Sequence, residues 1–418
     1  MPLGLYISIP FCRTKCSYCN FASDVFSKSA YENYVICVLE DIANSRQLAM
    51  DLGCTCDDTA DSIYLGGGTP SILDASQLLR IFAAVRGQFA VTPDAEITVE
   101  CAPGTITPSL IETLLQCGVN RVSLGVQSFV DQEAQSVGRL HKRSTVLEEI
   151  GRLREAGLAN INIDLIAGLP HQTAESWAFS LSETIATGVP HVSVYMLDVD
   201  EDSRLGRELI AGGSRYHAHF VPDDDATADF YQLACQMLAS AGIAQYEISN
   251  FARTAPHSQN GELQSNQSRH NLKYWTRQPY LGFGVDAHSM LAANHNQAVH
   301  QALRFATTDS LDAYMNRAPH TVTPVSAQAA IEESFFLGLR LNRGIDLERL
   351  RADFSPMFSQ DAVATWESAI QPCVQDGLLE RQGATLRLTA RGRLLSNEVF
   401  ARFLTEETKV GTGHVNPR

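Results

Sequence analysis

The sequence lacks any apolar run long enough to cross a membrane, and it has no excess of positive charge. Its 418 residues contain no stretch of about 18 consecutive apolar residues, the minimum for a transmembrane helix. The formal net charge of -15 argues against general binding to nucleic acid, because neutralising phosphates requires clustered lysine and arginine. We therefore expect small molecules and proteins, rather than nucleic acids, as partners.

The ten cysteines form no regular framework of pairs, which argues against a secreted, disulfide-bonded protein. In a chain this long they predict reduced thiols together with a metal site. The first strand pattern begins at Leu3 and leaves no room for a signal or transit peptide, so we expect a cytoplasmic location. With 44% apolar residues, the chain can bury a large core divided among about two or three domains.

Three closely spaced cysteines, Cys12, Cys16 and Cys19, follow the first strand pattern directly. Three thiolates at this spacing can wrap one soft metal centre and leave a coordination position open, as in an iron–sulfur cluster with one free iron. Three buried structural cysteines, or a structural zinc with a fourth ligand from elsewhere, are the alternatives. Zinc ribbons usually bring a second close pair of ligands, whereas the nearest histidine in sequence is His141.

Six strand patterns alternate with amphipathic helical stretches, which predicts parallel βα units. One face of each strand is apolar and the other is polar. An ordinary closed barrel fills its interior with Val, Ile and Leu, so a polar interior predicts a polar ligand. An antiparallel sheet with one wet face is the alternative, but the long helical connections argue against it. The six strands start near Leu5, Ser62, Glu96, Arg121, Asn160 and His191.

Polar and glycine residues cluster at the predicted carboxyl ends of these strands, where barrel proteins place their chemistry. The second strand ends in three glycines, Gly66, Gly67 and Gly68, which let the backbone approach a ligand closely. Each of these positions alone fits a tight turn or a solvated surface. Their shared location at one mouth predicts ligand contacts. The other candidates at this mouth are Thr69, Glu100, Gln127, Arg139 and Asp164.

Together, the Cys12-x-x-x-Cys16-x-x-Cys19 motif, the glycine turn and the polar strands resemble the radical S-adenosylmethionine (SAM) superfamily. The resemblance covers nearly the whole chain. It implies a partial (βα)6-type TIM barrel of the radical SAM kind, followed by a C-terminal α+β winged-helix-like domain. Four stretches are similar to the branch that holds oxygen-independent coproporphyrinogen III oxidase and the haem chaperone HemW: residues 6–12, 124–129, 164–170 and 270–275.

The resemblance implies a [4Fe–4S] cluster on Cys12, Cys16 and Cys19, with SAM bound to the free iron. It assigns no catalytic residue of the protein itself, because the cofactor does the chemistry. Contacts to the cluster-bound SAM are implied for Tyr6, Gly67, Gly68, Thr69 and Glu100. Contacts to a second SAM, or instead to the first SAM or a porphyrin, are implied for Tyr18, Gln127, Arg139 and Asp164.

The residues after the third cysteine favour one branch of this family. The oxidases carry a further cysteine two positions after the third cluster ligand, where this chain has Phe21, preceded by Asn20. The chain also lacks the longer leader of the oxidases. The resemblance therefore favours the haem chaperone HemW over a coproporphyrinogen III oxidase, which decarboxylates propionates to vinyls. An RNA-modifying radical SAM enzyme is a third hypothesis, and the charge balance argues against it.

A short motif beginning at His270 is the predicted haem contact. Asn271, Tyr274 and Trp275 place aromatic surface and a polar partner within one helical turn of the imidazole. The alternative is that the motif only closes the barrel with its aromatic rings. The resemblance further implies a reductant such as flavodoxin or ferredoxin, and respiratory haemoproteins as haem acceptors, which would bring the chain to a membrane surface.

Four regions are predicted along the chain. Residues 1–206 form the radical SAM core, and residues 207–322 extend the barrel and contain a flexible loop at 254–268. Residues 323–404 form the winged-helix-like domain, and residues 405–418 are a disordered tail. His217 and His219 are expected on a solvated loop, because nothing nearby in sequence completes a metal site.

Overall fold

The structure is a computed structural model and describes residues 1–253, 266–294, 301–354 and 360–404. Most of the predicted loop at 254–268 and all of the predicted tail at 405–418 lie outside the described residues. None of the helices in the described ranges combines the length and the hydropathy that a membrane crossing requires.

The six predicted strands are present and form the centre of one sheet. They pair in chain order, each parallel to the next, which confirms the βα units of the predicted partial barrel. They are β1 (Leu3–Ile9), β2 (Thr59–Gly67), β3 (Ala90–Cys101), β4 (Arg121–Gln127), β5 (Ile161–Ala167) and β6 (His191–Met196).

Shorter strands extend both edges of this sheet. Beyond β6 lies β8 (Asn250–Arg253), which is antiparallel to β6. Next to it lies β7 (Ile243–Gln245), which is antiparallel to β8. At the other edge β9 (Tyr280–Phe283) runs parallel to β1. The antiparallel strands β10 (His288–Ala292), β11 (Ala302–Ala306) and β12 (Thr321–Val325) follow it. Within the described residues the twelve strands form a linear order from β12 to β7, so the barrel is open.

Helices connect the strands and cover the outer, apolar face of the sheet. The glycines that end three of the helical patterns, Gly118, Gly157 and Gly188, have φ values of 77, 89 and 68°, which is the left-handed conformation that the sequence predicts for them. The helices up to the C-terminal domain are α1 (Lys28–Asp51), α2 (Ala75–Gln88), α3 (Pro108–Gln116), α4 (Asp131–Ser136), α5 (Arg143–Glu155), α6 (Ala174–Thr187), α7 (Arg204–Ala211), α8 (Asp224–Ser240), α9 (Arg269–Trp275) and α10 (Leu311–Met315).

The inner face of the sheet carries the polar network that the alternation predicts. Asp164 accepts hydrogen bonds from Ser123 at 3.0 Å and from Asn162 at 2.7 Å. Asn162 in turn lies 2.6 Å from His191. The outer face buries alternate side chains such as Ile63 completely, each of which stabilises the fold by about 1.5–3 kcal/mol. The inner face of the sheet is therefore polar, and its outer face is apolar.

The C-terminal part of the chain forms a second sheet with its own core. Its three strands pair antiparallel in the order β13, β15, β14, and Phe335, Trp366 and Leu386 contribute to the core beneath them. This is the predicted winged-helix-like arrangement. Its elements are α11 (Ala327–Leu339), β13 (Ile345–Asp346), α12 (Leu347–Asp353), α13 (Gln360–Gln375), β14 (Leu379–Gln382), β15 (Thr385–Leu388), α14 (Ala390–Leu394) and α15 (Ser396–Ala401).

Buried ion pairs hold the C-terminal domain against the barrel. Glu333 on α11 pairs with Arg277 at 2.8 Å and with Arg304 at 3.2 Å. Arg340 lies 4.2 Å above the ring of Trp275 and 3.6 Å from the carboxylate of Glu247. The second domain thus packs directly behind α9, the helix that carries His270.

Candidate cluster and cofactor site

The cysteine loop lies at the carboxyl end of β1 and is held from several directions. The thiols of Cys12, Cys16 and Cys19 are half-buried and form no disulfide within the described residues. The amide of Cys12 donates to the carbonyl of Asp24 at 3.0 Å. Further along the loop, the amide of Ser17 donates to Val137 at 3.1 Å, and its carbonyl accepts from Leu205 at 2.8 Å. Side chains add to these backbone hydrogen bonds, because Thr14 donates to the carbonyl of Gly138 at 3.1 Å and Arg204 donates to that of Lys15 at 3.2 Å.

The three cysteines face a common space. Burial raises the pKa of the Cys12 thiol, and the negative charges of Cys19 and Cys16 raise it further. Burial is also the main cause of the raised pKa of Cys19, to which the charge of Cys16 adds. Thiolates that repel one another across a shared space are stabilised when a cationic metal centre binds between them.

The donor geometry does not favour a single metal ion. Across the described residues, no three His, Cys, Asp or Glu side chains converge closely enough to hold one ion. The zinc alternative therefore gains no geometric support. A [4Fe–4S] cluster binds each thiolate at a different iron, so it accepts cysteines that surround a larger volume. Three free thiols on one loop are the kind of donor set that such a cluster binds.

The glycine turn after β2 packs directly against the cysteine loop. The amide of Gly68 donates to Ile9 at 2.8 Å, and that of Thr69 donates to Phe11 at 2.8 Å. A methyl group at Gly68 would lie 2.7 Å from the Phe11 carbonyl oxygen and 3.0 Å from the Cys12 sulfur. Any side chain at this position would therefore displace the loop. The backbone of the glycine turn therefore carries no side chain beside the thiols. This arrangement fits a cofactor that contacts both the glycine turn and the cysteine loop.

Glu100 joins the glycine turn to the barrel wall. One carboxylate oxygen accepts from the Tyr64 hydroxyl at 2.8 Å, and the other accepts from the amide of Gly67 at 3.1 Å. Burial raises the pKa of Glu100 to about 7. The Tyr6 ring lies 6.2 Å from that of Tyr64. The structure thus brings together all five residues implied as contacts to the cluster-bound SAM: Tyr6, Gly67, Gly68, Thr69 and Glu100.

The residues of the second implied group, Tyr18, Gln127, Arg139 and Asp164, also lie next to one another. Arg139 donates to the Tyr18 hydroxyl at 2.9 Å. A methyl group at Gly125 would lie 3.1 Å from the Gln127 amide nitrogen and 3.4 Å from an Arg139 nitrogen. The side chains of Gln127 and Arg139 therefore both lie over Gly125 in β4. Asp164 pairs with Gly125 in the neighbouring strand.

Two polar atoms of this second group lack a partner. Among the described residues, neither Gln127 Oε1 nor Arg139 Nε has a hydrogen-bond partner, although both atoms are buried. Gln127 also has a φ of 69°, a strained value for a residue other than glycine. A polar ligand at this end of the barrel would satisfy both atoms.

His270 lies inside the barrel wall, with its ring 6.5 Å from that of Tyr6 in the first group. Its side chain is 1% exposed, with Nδ1 3.0 Å from the Ser62 hydroxyl and Nε2 2.8 Å from the Tyr274 hydroxyl. The ring stacks on Tyr64 at 5.3 Å, and burial lowers its pKa to about 3. Both ring nitrogens therefore have partners, which favours the alternative that the motif closes the barrel. Haem ligation by His270 stays a prediction, and it requires the ring to exchange one partner for iron.

One pair of residues at the mouth was not found from the sequence. His217 lies on a loop, as expected, but it is half-buried and its Nδ1 lies 3.1 Å from Nε2 of His171. The two histidines are 46 residues apart, and no local pattern links them. Pairing of this kind depends on the packing of two separate loops, which the spacing of residues cannot report.

The chain is similar to two protein-family models. Residues 6–182 match the Radical SAM superfamily, and residues 325–395 match the HemN C-terminal domain. The first range contains the cysteine loop, the second half of β1 and strands β2 to β5. The second coincides with most of the winged-helix-like domain.

Curated relatives are similar over almost the full length. The haem chaperone HemW of Bacillus subtilis is 31% identical over 402 residues, which cover 96% of this chain and 99% of the relative. HemW of Mycobacterium tuberculosis is 31% identical over 96% of this chain and 95% of its own length. Among solved structures, the coproporphyrinogen III oxidase HemN of Escherichia coli superimposes with a TM-score of 0.78 at 24% identity, covering 96% of this chain and 90% of that one. At this identity the likeness of the solved structure concerns the fold alone.

Proposed function

Because this chain belongs to the HemW family of radical SAM proteins, we propose that it is a haem chaperone. A radical SAM domain implies a [4Fe–4S] cluster and SAM. The chaperone would bind haem in addition and deliver it to respiratory haemoproteins, with flavodoxin or ferredoxin as reductant. The observation that carries this proposal is the match to HemW relatives across 96% of the chain. Phe21, at a position where the oxidases carry a further cysteine, is consistent with it.

The cysteine loop and the glycine turn would hold the cofactors. Cys12, Cys16 and Cys19 would ligate the cluster, which when bound and reduced supplies an electron to SAM. The exposed backbone at Gly67 and Gly68 would lie along the SAM molecule, because no Cβ obstructs it there. The half-buried thiols and the half-buried Tyr6 would limit the access of water to this end of the barrel.

Glu100 would orient the positively charged part of SAM. Its pKa of about 7 leaves the carboxyl partly protonated near neutral pH when no cation is present. A nearby ammonium or sulfonium group favours the ionised carboxylate and so lowers that pKa. Glu100 would therefore release a proton as SAM binds, while Tyr64 and the amide of Gly67 keep the carboxylate in place.

The second group would bind an anionic or polar ligand beside the first. Arg139 supplies a guanidinium that suits a carboxylate, which both a second SAM and the propionates of a porphyrin offer. Gln127 and Tyr18 would add hydrogen bonds, and Asp164 would receive a cationic group. These four residues are consistent with either ligand, and both belong to the proposed function.

Two measurements on the anaerobically reconstituted protein test the proposal. We expect close to four irons per chain, and Cys16→Ala should lower iron and sulfide, whereas Cys56→Ala, at a half-buried loop thiol outside the site, should not. With SAM, reductant and coproporphyrinogen III, we expect no protoporphyrinogen IX, but the haem-loaded protein should transfer haem to an apo-haemoprotein. Stoichiometric decarboxylation would replace the chaperone with the oxidase.

A further inference from the structure

A hydrogen-bonded pair of imidazoles lies at the rim of the barrel, outside the cluster and SAM contacts. His171 follows β5, and its Nε2 lies 3.1 Å from Nδ1 of His217. The His171 ring also stacks on Phe220, with ring centroids 4.1 Å apart and an interplanar angle of 28°. The amide of His171 donates to the carbonyl of Phe220 at 2.9 Å. The two histidines and the phenylalanine therefore form one unit made from two loops.

This unit is tied to the cysteine loop through α7. The buried carboxylate of Glu208 on that helix accepts from the amides of Tyr216 at 2.8 Å and Ala218 at 3.2 Å, which fixes the segment that carries His217. The start of the same helix is bonded to the cluster loop, because the amide of Leu205 donates to Ser17 at 2.8 Å. The imidazole pair thus lies on the same framework as the cluster.

The hydrogen bond leaves a ring nitrogen free to bind a metal. If Nδ1–H of His217 donates to His171, the lone pair of His217 Nε2 is available, and the described residues offer that atom no hydrogen-bond partner. A histidine ligand normally donates its other ring N–H to an acceptor that fixes its orientation, and His171 supplies that acceptor. Burial and the proximity of His217 both lower the pKa of His171.

The composition of the surroundings indicates what the free nitrogen would bind. A bare ion would need at least a third protein ligand, and within the described ranges no group of three His, Cys, Asp or Glu side chains is found. Haem iron already has four porphyrin nitrogens and needs only an axial ligand.

The exposed side chains on the segment that carries His217 are apolar or cationic, and both kinds are complementary to haem. Phe220 is 56% exposed, and Leu209 and Ile210 on α7 are 51% and 67% exposed, so the segment leaves apolar surface uncovered. Arg207 and Arg215 are exposed cations on the same segment, and they complement the negative charge of propionates. A flat apolar ring with two carboxylates and one open axial position matches this set of side chains.

We propose that His217 is an axial ligand of haem at the rim of the barrel, with His171 as the positioning residue. The inference rests on the proposed haem-chaperone function and names a site for it. Haem bound there would lie beside the cysteine loop rather than inside the barrel wall at His270.

The test is a haemin titration of the full-length, cluster-reconstituted protein, followed by the Soret band. Both histidines have positive φ values, 61 and 68°, so His217→Gly and His171→Asn suit the backbone. We expect His217→Gly to bind haemin at least tenfold more weakly and to lose the histidine-ligated spectrum. Imidazole added to this variant should restore the spectrum, because the small molecule fills the vacated position. His219→Asn, two residues away and exposed, is the control and should match wild type.

The role of His171 has its own readout. His171→Asn should keep haem bound but shift the Soret maximum, and His171→Gln, whose carbonyl can accept from His217 Nδ1–H, should restore it. If His217→Gly has wild-type affinity and spectrum, or if imidazole does not rescue its loss, the inference is overturned. If wild type shows no saturable haemin binding, the chaperone function itself fails. If His270→Asn alone abolishes the ligated spectrum, the ligand is the motif on α9 instead.

Discussion

Glu100 is the side chain whose ionisation depends most directly on the fold of the site. Its pKa rises from 4.5 to about 7, mainly because it is buried. Between these values the folded protein holds a proton that the unfolded chain has lost, so stability falls as pH rises through this window. Above pH 7 the cost is at most about 3 kcal/mol, since a tenfold change in an acid dissociation constant corresponds to about 1.4 kcal/mol.

The first prediction follows from this raised pKa. In the absence of SAM, Glu100→Gln should gain stability relative to wild type when the pH is raised from 5 to 8, as measured by thermal unfolding. The glutamine does not titrate, so the change in the stability difference between pH 5 and pH 8 reports the ionisation of Glu100. Glu112→Gln, on the exposed face of α3, is the matched control and should show no such dependence. An equal response of both variants would contradict the burial of Glu100.

The second prediction concerns the space at Gly68. Gly68→Ala places a methyl group 2.7 Å from the Phe11 carbonyl and 3.0 Å from the Cys12 sulfur, so we expect lower iron and sulfide content after reconstitution. Gly87→Ala is the control, because nothing lies within 4 Å of its methyl position on α2. That change should stabilise the helix by up to about 1 kcal/mol and leave the iron content unchanged. Full cluster occupancy in Gly68→Ala would refute the close approach.

Residue spacing predicted only part of the site. Cys12, Cys16 and Cys19 lie within one loop, so their spacing carries the chemical signal locally. The partners of His270 are spread along the chain, because Ser62 and Tyr64 come from β2. Which of these groups faces a ring nitrogen is decided by the packing of α9 on the sheet.

At the scale of the elements, the end of α11 stabilises the contact between the C-terminal domain and the barrel. Arg340, at the end of α11, covers Trp275 and faces the fully buried Glu247. Removing one partner of a buried ion pair leaves the other charge uncompensated, which typically costs about 3–5 kcal/mol. Glu247 also accepts from the amide of Ser249 at 3.0 Å, so its charge is partly satisfied without the arginine.

The third prediction is that Arg340→Met lowers the free energy of unfolding by about 3 kcal/mol in denaturant titrations. Combining it with Glu247→Gln should recover part of the loss, because the unpaired charge is then removed. Arg343→Met, at an exposed position three residues further on, should be close to wild type. Additive losses in the double variant would mean that the two side chains do not interact.

The alternation of polar and apolar residues predicted β1 to β6 because each strand is long enough to show its own period. The edge strands β7 to β12 have only three to five residues each and gave no comparable pattern. The segment 246–248 belongs to neither β7 nor β8. It forms the turn between β7 and β8, in which the amide of Tyr246 donates to Asn250. Strands β7 to β12 are therefore defined by their hydrogen bonds to neighbouring strands and not by their amino-acid composition.

For the whole molecule, the polar interior of the barrel is a source of instability that ligands relieve. Gln127 and Arg139 have buried polar atoms without partners in the described part of the chain, and Glu100 carries a raised pKa. A ligand that binds only the folded protein stabilises it in proportion to the logarithm of its concentration. Binding of SAM should therefore be visible in the unfolding of the entire barrel.

The fourth prediction is that SAM at 100 times its dissociation constant raises the free energy of unfolding of the cluster-loaded protein by about 2.7 kcal/mol. Glu100→Gln should lose most of this gain. Glu112→Gln again serves as the control. The measurement is a thermal shift at increasing SAM concentration under anaerobic conditions, and a midpoint independent of SAM would show that the barrel interior does not bind it.

The backbone hydrogen bonds of Ser17 have a consequence for the order of events during synthesis. The cysteines leave the ribosome well before Val137 and Leu205, the two residues that hold Ser17 in place. Contacts between such distant residues form late in folding. We therefore expect maturation to be post-translational: a chain truncated before Leu205 should accept iron and sulfide poorly, although it carries all three thiols.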